Sequence, residues 1–137
     1  MLPNIVWLSN SANAPTGYGN QTKLFTPHLK KQGYPIAVAA MYGAEGFIHV
    51  DEHGIEQLPR LTGRDPLMNN VIGAHMNHVQ ADVVLSFLDA WALNPNVYGR
   101  VNWCAWAPVD STPMKVWNKD TLPYARWIWA MSRHGQR

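Results

Sequence analysis

Asn4-Ile-Val-Trp-Leu-Ser9, the segment Asn10-Ser-Ala-Asn-Ala-Pro-Thr-Gly-Tyr-Gly-Asn20, and the residues Tyr18, Thr22, Phe25 and Leu29 at helical spacing decide the fold. The first is an unbroken apolar run bounded by polar turn formers, the pattern of a strand buried on both faces in a parallel sheet. The second is rich in small and turn-forming residues and reads as a loop. The third reads as one buried stripe of a helix, with lysines on other faces and Gly33 as its stop. A strand, a glycine loop and a helix thus follow one another within 33 residues. Pro27 stands inside the helical stretch and is expected to kink the helix or shift its start.

The same alternation continues along the chain. Pro35-Ile-Ala-Val-Ala-Ala-Met41 is a second strand, which the right-handed crossover rule sets parallel to the first. Residues 47–50 and 55–58, joined by Asp51-Glu-His-Gly54, form a hairpin or a bent third strand. A loop over residues 59–66 leads to a helix carrying Met68, Ile72, His75 or Met76, and Val79, which ends near Gln80. Asp82-Val-Val-Leu-Ser-Phe87 and Val101-Asn-Trp-Cys-Ala-Trp106 are further buried strands. A short helix over residues 116–126, interrupted by Pro123, precedes a last strand, Trp127-Ile-Trp-Ala-Met131. The expected class is α/β: a Rossmann-like open, mostly parallel sheet with helices on both faces, in one domain spanning residues 1–137. Ser132 is of N-cap type and follows a strand, so a further helix is expected to begin there, completed by more sequence or by a partner chain.

Composition narrows the class. Hydrophobic residues make up 47% of the 137 and charged residues 15%, against about 25% charged in typical domains, which excludes a disordered chain. The single cysteine, Cys104, excludes an internal disulfide and a cysteine-based zinc site and fits a reducing, cytoplasmic compartment. No apolar stretch approaches the roughly 20 residues of a membrane span. The net charge of +2 is uneven, because residues 1–114 sum to −2 and residues 115–137 to +4. The basic end is either a solvated face or a contact surface for phosphate or another domain. Seven tryptophans must find a core, an interface or a cleft. Those on strands are expected to fill the layers between sheet and helices, and Trp91 and Trp117 to line a cleft. Basic and aromatic residues are not interleaved on one face, so nucleic acid is not indicated.

Open α/β sheets bind ligands outside the carboxyl ends of their strands. Gly17, Tyr18, Gly19 and Asn20 stand between the first strand and the first helix, where backbone N–H groups and the helix dipole can hold an anion. The glycines equally suit a tight turn. Thr22 stands where the dinucleotide fingerprint has its third glycine, and no acidic residue closes the second strand, so NAD binding is disfavoured. A P-loop and a nucleophile elbow are both missing from the sequence. Asp89 after the fourth strand, Asp110 and Ser111 after the fifth, and Ser132 and Arg133 after the last should meet at one edge. Asp89 and Asp110 are candidates for binding or deprotonating a hydroxyl, and each is also a candidate helix cap. The pairs His49/His53 and His75/His78 lack the partners of a metal site and read as surface histidines. Cys104 reads as a small buried hydrophobe.

The opening strand, the Pro15-Thr-Gly-Tyr-Gly-Asn20 segment and a helix ending Leu29-Lys-Lys-Gln-Gly-Tyr34 resemble the start of GT-B glycosyltransferases of the glycosyltransferase-4 type. Asp82-Val-Val-Leu-Ser-Phe87, Ala107-Pro-Val-Asp-Ser-Thr-Pro113 and Ile128-Trp-Ala-Met-Ser-Arg-His-Gly135 resemble later strands of the same N-terminal domain. The resemblance covers the whole chain as the acceptor-side half only; the donor-binding domain and its paired glutamates are absent from it. It implies transfer of a sugar from a nucleotide-sugar donor to an acceptor hydroxyl once a second domain is supplied, with no metal or other cofactor. It further implies that Gly17, Tyr18 and Gly19 lie near the donor phosphates and Asp89 near the acceptor hydroxyl. Where many relatives carry a histidine after the fourth strand, this chain reads Leu85-Ser-Phe-Leu-Asp89. The alternative is a stand-alone α/β module that binds a sugar, a nucleotide or a protein without catalysis, and a homodimer or a partner chain is expected to cover exposed aromatic surface.

Overall fold

The computed structural model describes residues 1–61, 65, 67–109 and 113–133. Its centre is a sheet of seven strands: β1 (Ile5–Ser9), β2 (Ile36–Glu45), β3 (His49–Val50), β4 (Glu56–Arg60), β5 (Val83–Phe87), β6 (Trp103–Ala107) and β7 (Trp127–Ala130). They lie in the order β3-β4-β2-β1-β5-β6-β7. Every neighbouring pair is parallel except the β3–β4 hairpin. The described helices are α1 (Gly17–Lys31), α2 (Ile72–Val79), α3 (Pro95–Tyr98) and α4 (Val116–Thr121), with 3-10 turns at Ala90–Ala92 and Leu122–Tyr124. The chain is therefore an α/β protein with a mostly parallel sheet, as its alternating pattern implies.

Strand alternation divides the core into two layers. Val6, Leu8, Ala39, Val84, Trp103 and Ala105 point to one face, where they pack with Met68 and Ile72, with Tyr98 of α3, and with Leu122. Ile5, Trp7, Val38, Leu85, Phe87 and Cys104 point to the other, where Tyr18, Phe25 and Leu29 of α1 meet them. Trp103 and Trp106, three residues apart on β6, accordingly fall in different layers.

Several features depart from the sequence reading. Gly17 to Asn20 are not loop but the first turn of α1, capped by Thr16, whose side chain accepts from the Gly19 amide. The helix then runs unbroken through Pro27 to Lys31. The second helix begins at Ile72 rather than near Met68, because Met68 takes a left-handed conformation (φ 57°). The buried Asp65 carboxylate gathers the amides of Asn69, Asn70 and Val71 at 2.7, 2.6 and 3.1 Å into a turn. Strand β2 continues past Met41 to Glu45, its pairing with β4 shifting register on the way.

Strand β7, whose apolar sequence predicts burial, is instead half open to solvent. Trp127, Ile128 and Trp129 are 49%, 52% and 50% exposed. The topology explains this. From β5 to β6 to β7 the chain moves outward in one direction, and right-handed connections place the intervening turns and α4 on the face away from α1. Helix α1 packs over the side chains of β1, β2 and β5. The outer half of its face, carrying Cys104, Trp106, Trp127 and Trp129, forms the floor of an open apolar cavity of about 540 Å3.

Candidate functional site

The strand order reverses between β1 and β5, so the two connections leaving their carboxyl ends diverge and open a crevice there. A pocket of about 590 Å3 occupies that edge. Thr16, Gly17, Tyr18, Gln21 and Phe25 of the α1 region form one wall, Phe87 at the end of β5 and Trp106 of β6 the floor, and Pro108 and Met131 the far side.

Local chemistry fixes each wall. The Thr16 hydroxyl accepts from the Gly19 amide at 3.0 Å and from the Asn10 side chain at 2.9 Å, so it is committed to holding the start of the helix. Gly19 is obligatory in this position: a Cβ on it would collide with the carbonyl oxygen of Ala14. Gly17, by contrast, has nothing within 4 Å of where its Cβ would be, and this is the open side of the turn. Gly43 on β2 (φ +90°) backs the same segment, with room for a Cβ only 2.9 Å from that of Ala14. Thr22 ties helix to strand, its hydroxyl donating to the carbonyl of Asn10 or Tyr18 and accepting from the buried Trp7 indole at 3.0 Å.

The floor is an aromatic cluster. Trp106 meets Phe87 edge-on with centroids 4.9 Å apart and Phe25 at 5.1 Å, and Tyr18 meets Phe87 edge-on at 5.8 Å. Ser9 steadies the β1–β5 junction by donating to the Phe87 carbonyl at 2.7 Å. Such a surface offers apolar and quadrupolar contact to a flat ligand face, with the Gln21 amide and the amino end of a 15-residue helix as polar elements. The described lining holds no carboxylate and no cation. It can bind, orient and desolvate a ligand; proton transfer would have to come from groups beside it.

Gly17 and Tyr18 line the pocket. Gly19 is buried behind it and Asn20 is exposed away from its lining. Asp89 follows β5 at the same edge, half-buried, at the N-cap of the Ala90–Ala92 turn, and its side chain makes no capping hydrogen bond. Ser132 and Arg133 are exposed just beyond Met131. The expected helix after Ser132 would occupy residues 134–137, which, like Asp110 and Ser111, lie outside the described residues. Of the basic residues after 114, Arg133 follows the pocket residue Met131 by two positions, whereas Arg126 precedes β7 at the opposite end, donating to Asn102 at 2.8 Å and packing on Trp127.

Sequence reasoning missed the aromatic floor as a unit, because Phe25, Phe87 and Trp106 come from three separate elements and each alone reads as core. It also missed Gln57, fully buried, whose side-chain oxygen accepts from the Ser11 hydroxyl and the Ala12 amide and so braces the segment before Thr16. One histidine reading is corrected. His75 is not a surface residue but is buried against Pro59, its Nε2 2.7 Å from that carbonyl, and desolvation lowers its pKa. Cys104 is buried, as expected, and burial pushes its thiol up to about 11. Trp91 and Trp117 are both about half exposed, and their rings lie 6.5 Å apart, outside this pocket.

Among the described residues no group of three or more His, Cys, Asp or Glu side chains is placed to hold a metal ion, and no helix is long and apolar enough to cross a membrane. In comparison with known proteins, no family model matches the chain and no curated protein sequence matches it.

Proposed function

We propose that this chain is the acceptor-side Rossmann-like domain of a GT-B glycosyltransferase, which transfers a sugar from a nucleotide-sugar to an acceptor hydroxyl when a donor-binding domain faces it. The observation that carries this reading is the aromatic-floored pocket at the carboxyl edge of the sheet, at the strand-order reversal and against the first turn of α1. A sugar ring presents apolar C–H faces that stack on aromatic side chains and an equatorial rim of hydroxyls, a match for the partly exposed Trp106 and Phe25 beside Gln21 and Tyr18. The amino end of α1, open at Gly17, is the element that favours the negative charge of a donor diphosphate. Charge growing on the departing phosphate would be met there and by Arg133, and closure of a second domain would exclude water and favour transfer over hydrolysis. Asp89 is the carboxylate this reading assigns to the acceptor hydroxyl, with Ser132 near the rim.

One observation favours a second reading. The described pocket lining has no acid or base, which suits a module that binds a saccharide or nucleotide and performs no chemistry. Mixing the chain with a GT-B donor-binding domain and a nucleotide-sugar separates the two. Stabilisation by the nucleotide-sugar only in the mixture, with transfer to an added glycoside, supports the transferase. Micromolar binding of one ligand by this chain alone, with no transfer in the mixture, supports the module.

A further inference from the structure

The two edges of the sheet are unlike. Strand β3 is two residues long, His49 and Val50, and runs into Asp51, so one edge is short and ends in charge, a common way of blocking sheet extension. At the other edge β7 pairs only with β6 among the described residues, which leaves the opposite row of its backbone N–H and C=O groups unpaired. Its side chains are Trp127, Ile128, Trp129 and Ala130, with no charge, proline or bulge within the strand; Arg126, just before it, packs on Trp127. Both of its faces are exposed: Trp127 and Trp129 on one, Ile128 on the other. A free row of backbone donors and acceptors flanked by apolar side chains specifies its occupant as another strand rather than a helix or a small molecule.

We propose that β7 is a self-association edge, at which two copies of this chain pair antiparallel about a two-fold axis passing through Ile128. In an antiparallel ladder directly opposed residues share a face. Centring on Ile128 therefore sets Trp127 of each copy against Trp129 of the other on one face, and Ile128 against Ile128 on the opposite face. The two cross-strand tryptophan pairs are of a type that stabilises sheets. The same register opposes Arg126 to Ala130, so no like charges meet. A strand that is its own complement makes a second copy the matching partner, and the blunted β3 edge closes the assembly at two.

The surface available fits a reversible dimer. Tyr124, Trp127, Ile128, Trp129 and Met131 are each between two-fifths and just over half exposed. At about half of the 150–250 Å2 that an aromatic carries, these residues offer about 400–500 Å2 per copy. Full burial of this surface in a pair covers about 800–1,000 Å2, the size of weak, reversible interfaces. The inference is independent of any transferase activity, since of the pocket residues it touches only Met131 at the far side.

Sedimentation equilibrium on the full chain tests it. The wild type is expected to rise from 15.4 kDa toward twice that mass as concentration passes the micromolar range, and Ile128→Lys to remain monomeric with an unchanged circular-dichroism spectrum. A wild type that stays monomeric at about 100 μM overturns the proposal. So does an Ile128→Lys variant that dimerises equally well. A register test stands whether or not that variant folds. In a Cys104→Ala background, Ile128→Cys should form an intermolecular disulfide under mild oxidation while Tyr42→Cys, on the exposed part of β2, does not. Equal cross-linking of both sites overturns the two-fold at Ile128.

Discussion

The indole N–H of Trp7, fully buried on β1, donates to the Thr22 hydroxyl of α1 across 3.0 Å. This one bond joins the central strand to the helix whose first turn makes the pocket wall. Thr22 also donates within its own turn, so it satisfies both elements at once. Replacing it with valine keeps the shape and strands the indole N–H in an apolar layer. Thr22→Val is expected to destabilise the fold by about 1–3 kcal/mol, the cost of an unsatisfied buried donor, with Thr22→Ser recovering most of it. Urea unfolding followed by tryptophan fluorescence reads the difference.

The two glycines of the first turn should separate stability from binding. Gly19→Ala forces a methyl group into the Ala14 carbonyl, and a lower unfolding midpoint is expected because backbone must move. Gly17→Ala meets nothing within 4 Å and sits in a helical turn, so its midpoint should hold or rise slightly. If Gly17→Ala unfolds as readily as Gly19→Ala, the account of the turn is wrong.

His75 gives the fold a pH dependence of fixed sign. Burial lowers its pKa from 6.5, outweighing the opposing Pro59 hydrogen bond, with the nearby His78 lowering it further. The unfolded chain therefore takes up this proton at a higher pH than the folded one, and stability falls as pH drops below about 6.5 toward the folded-state value. Unfolding midpoints between pH 7.5 and 5.5 should decline in the wild type and decline less in His75→Gln. An equal slope in both would assign the effect to other groups.

Cys104 is buried on β6 with its thiol pushed up to about 11. Thiolate is the reactive form, so alkylation at pH 8 should be slow in the folded protein and fast in denaturant. Rapid native labelling would mean that the half of the sheet bearing Trp106, Trp127 and Trp129 opens readily.

Much of this architecture was legible in the sequence because its signals are local. The apolar runs at residues 4–9, 82–87 and 101–106 fall on β1, β5 and β6, and the Tyr18, Thr22, Phe25 and Leu29 stripe faces the core as spaced. The misreadings arose where tertiary contacts override local pattern. Met68 is periodic with Ile72 yet lies outside the helix, because Asp65 claims the intervening amides. Trp127 and Trp129 look like core, and only the strand order puts them on an uncovered edge. For the candidate site, Gly17 and Tyr18 were visible from their place after β1. The Phe25, Phe87 and Trp106 floor was not, since no spacing in one chain shows that three distant aromatics converge.

Titration of the 15N-labelled chain with aryl and alkyl glycosides, followed by amide chemical shifts, tests the pocket most directly. Saturable, millimolar-range shifts are expected at residues 16–21, at Phe87, at Trp106 and at Met131, and Trp106→Ala should abolish them while the fold persists. Shifts absent at saturating glycoside, or confined to surfaces away from the carboxyl edge of the sheet, would contradict it.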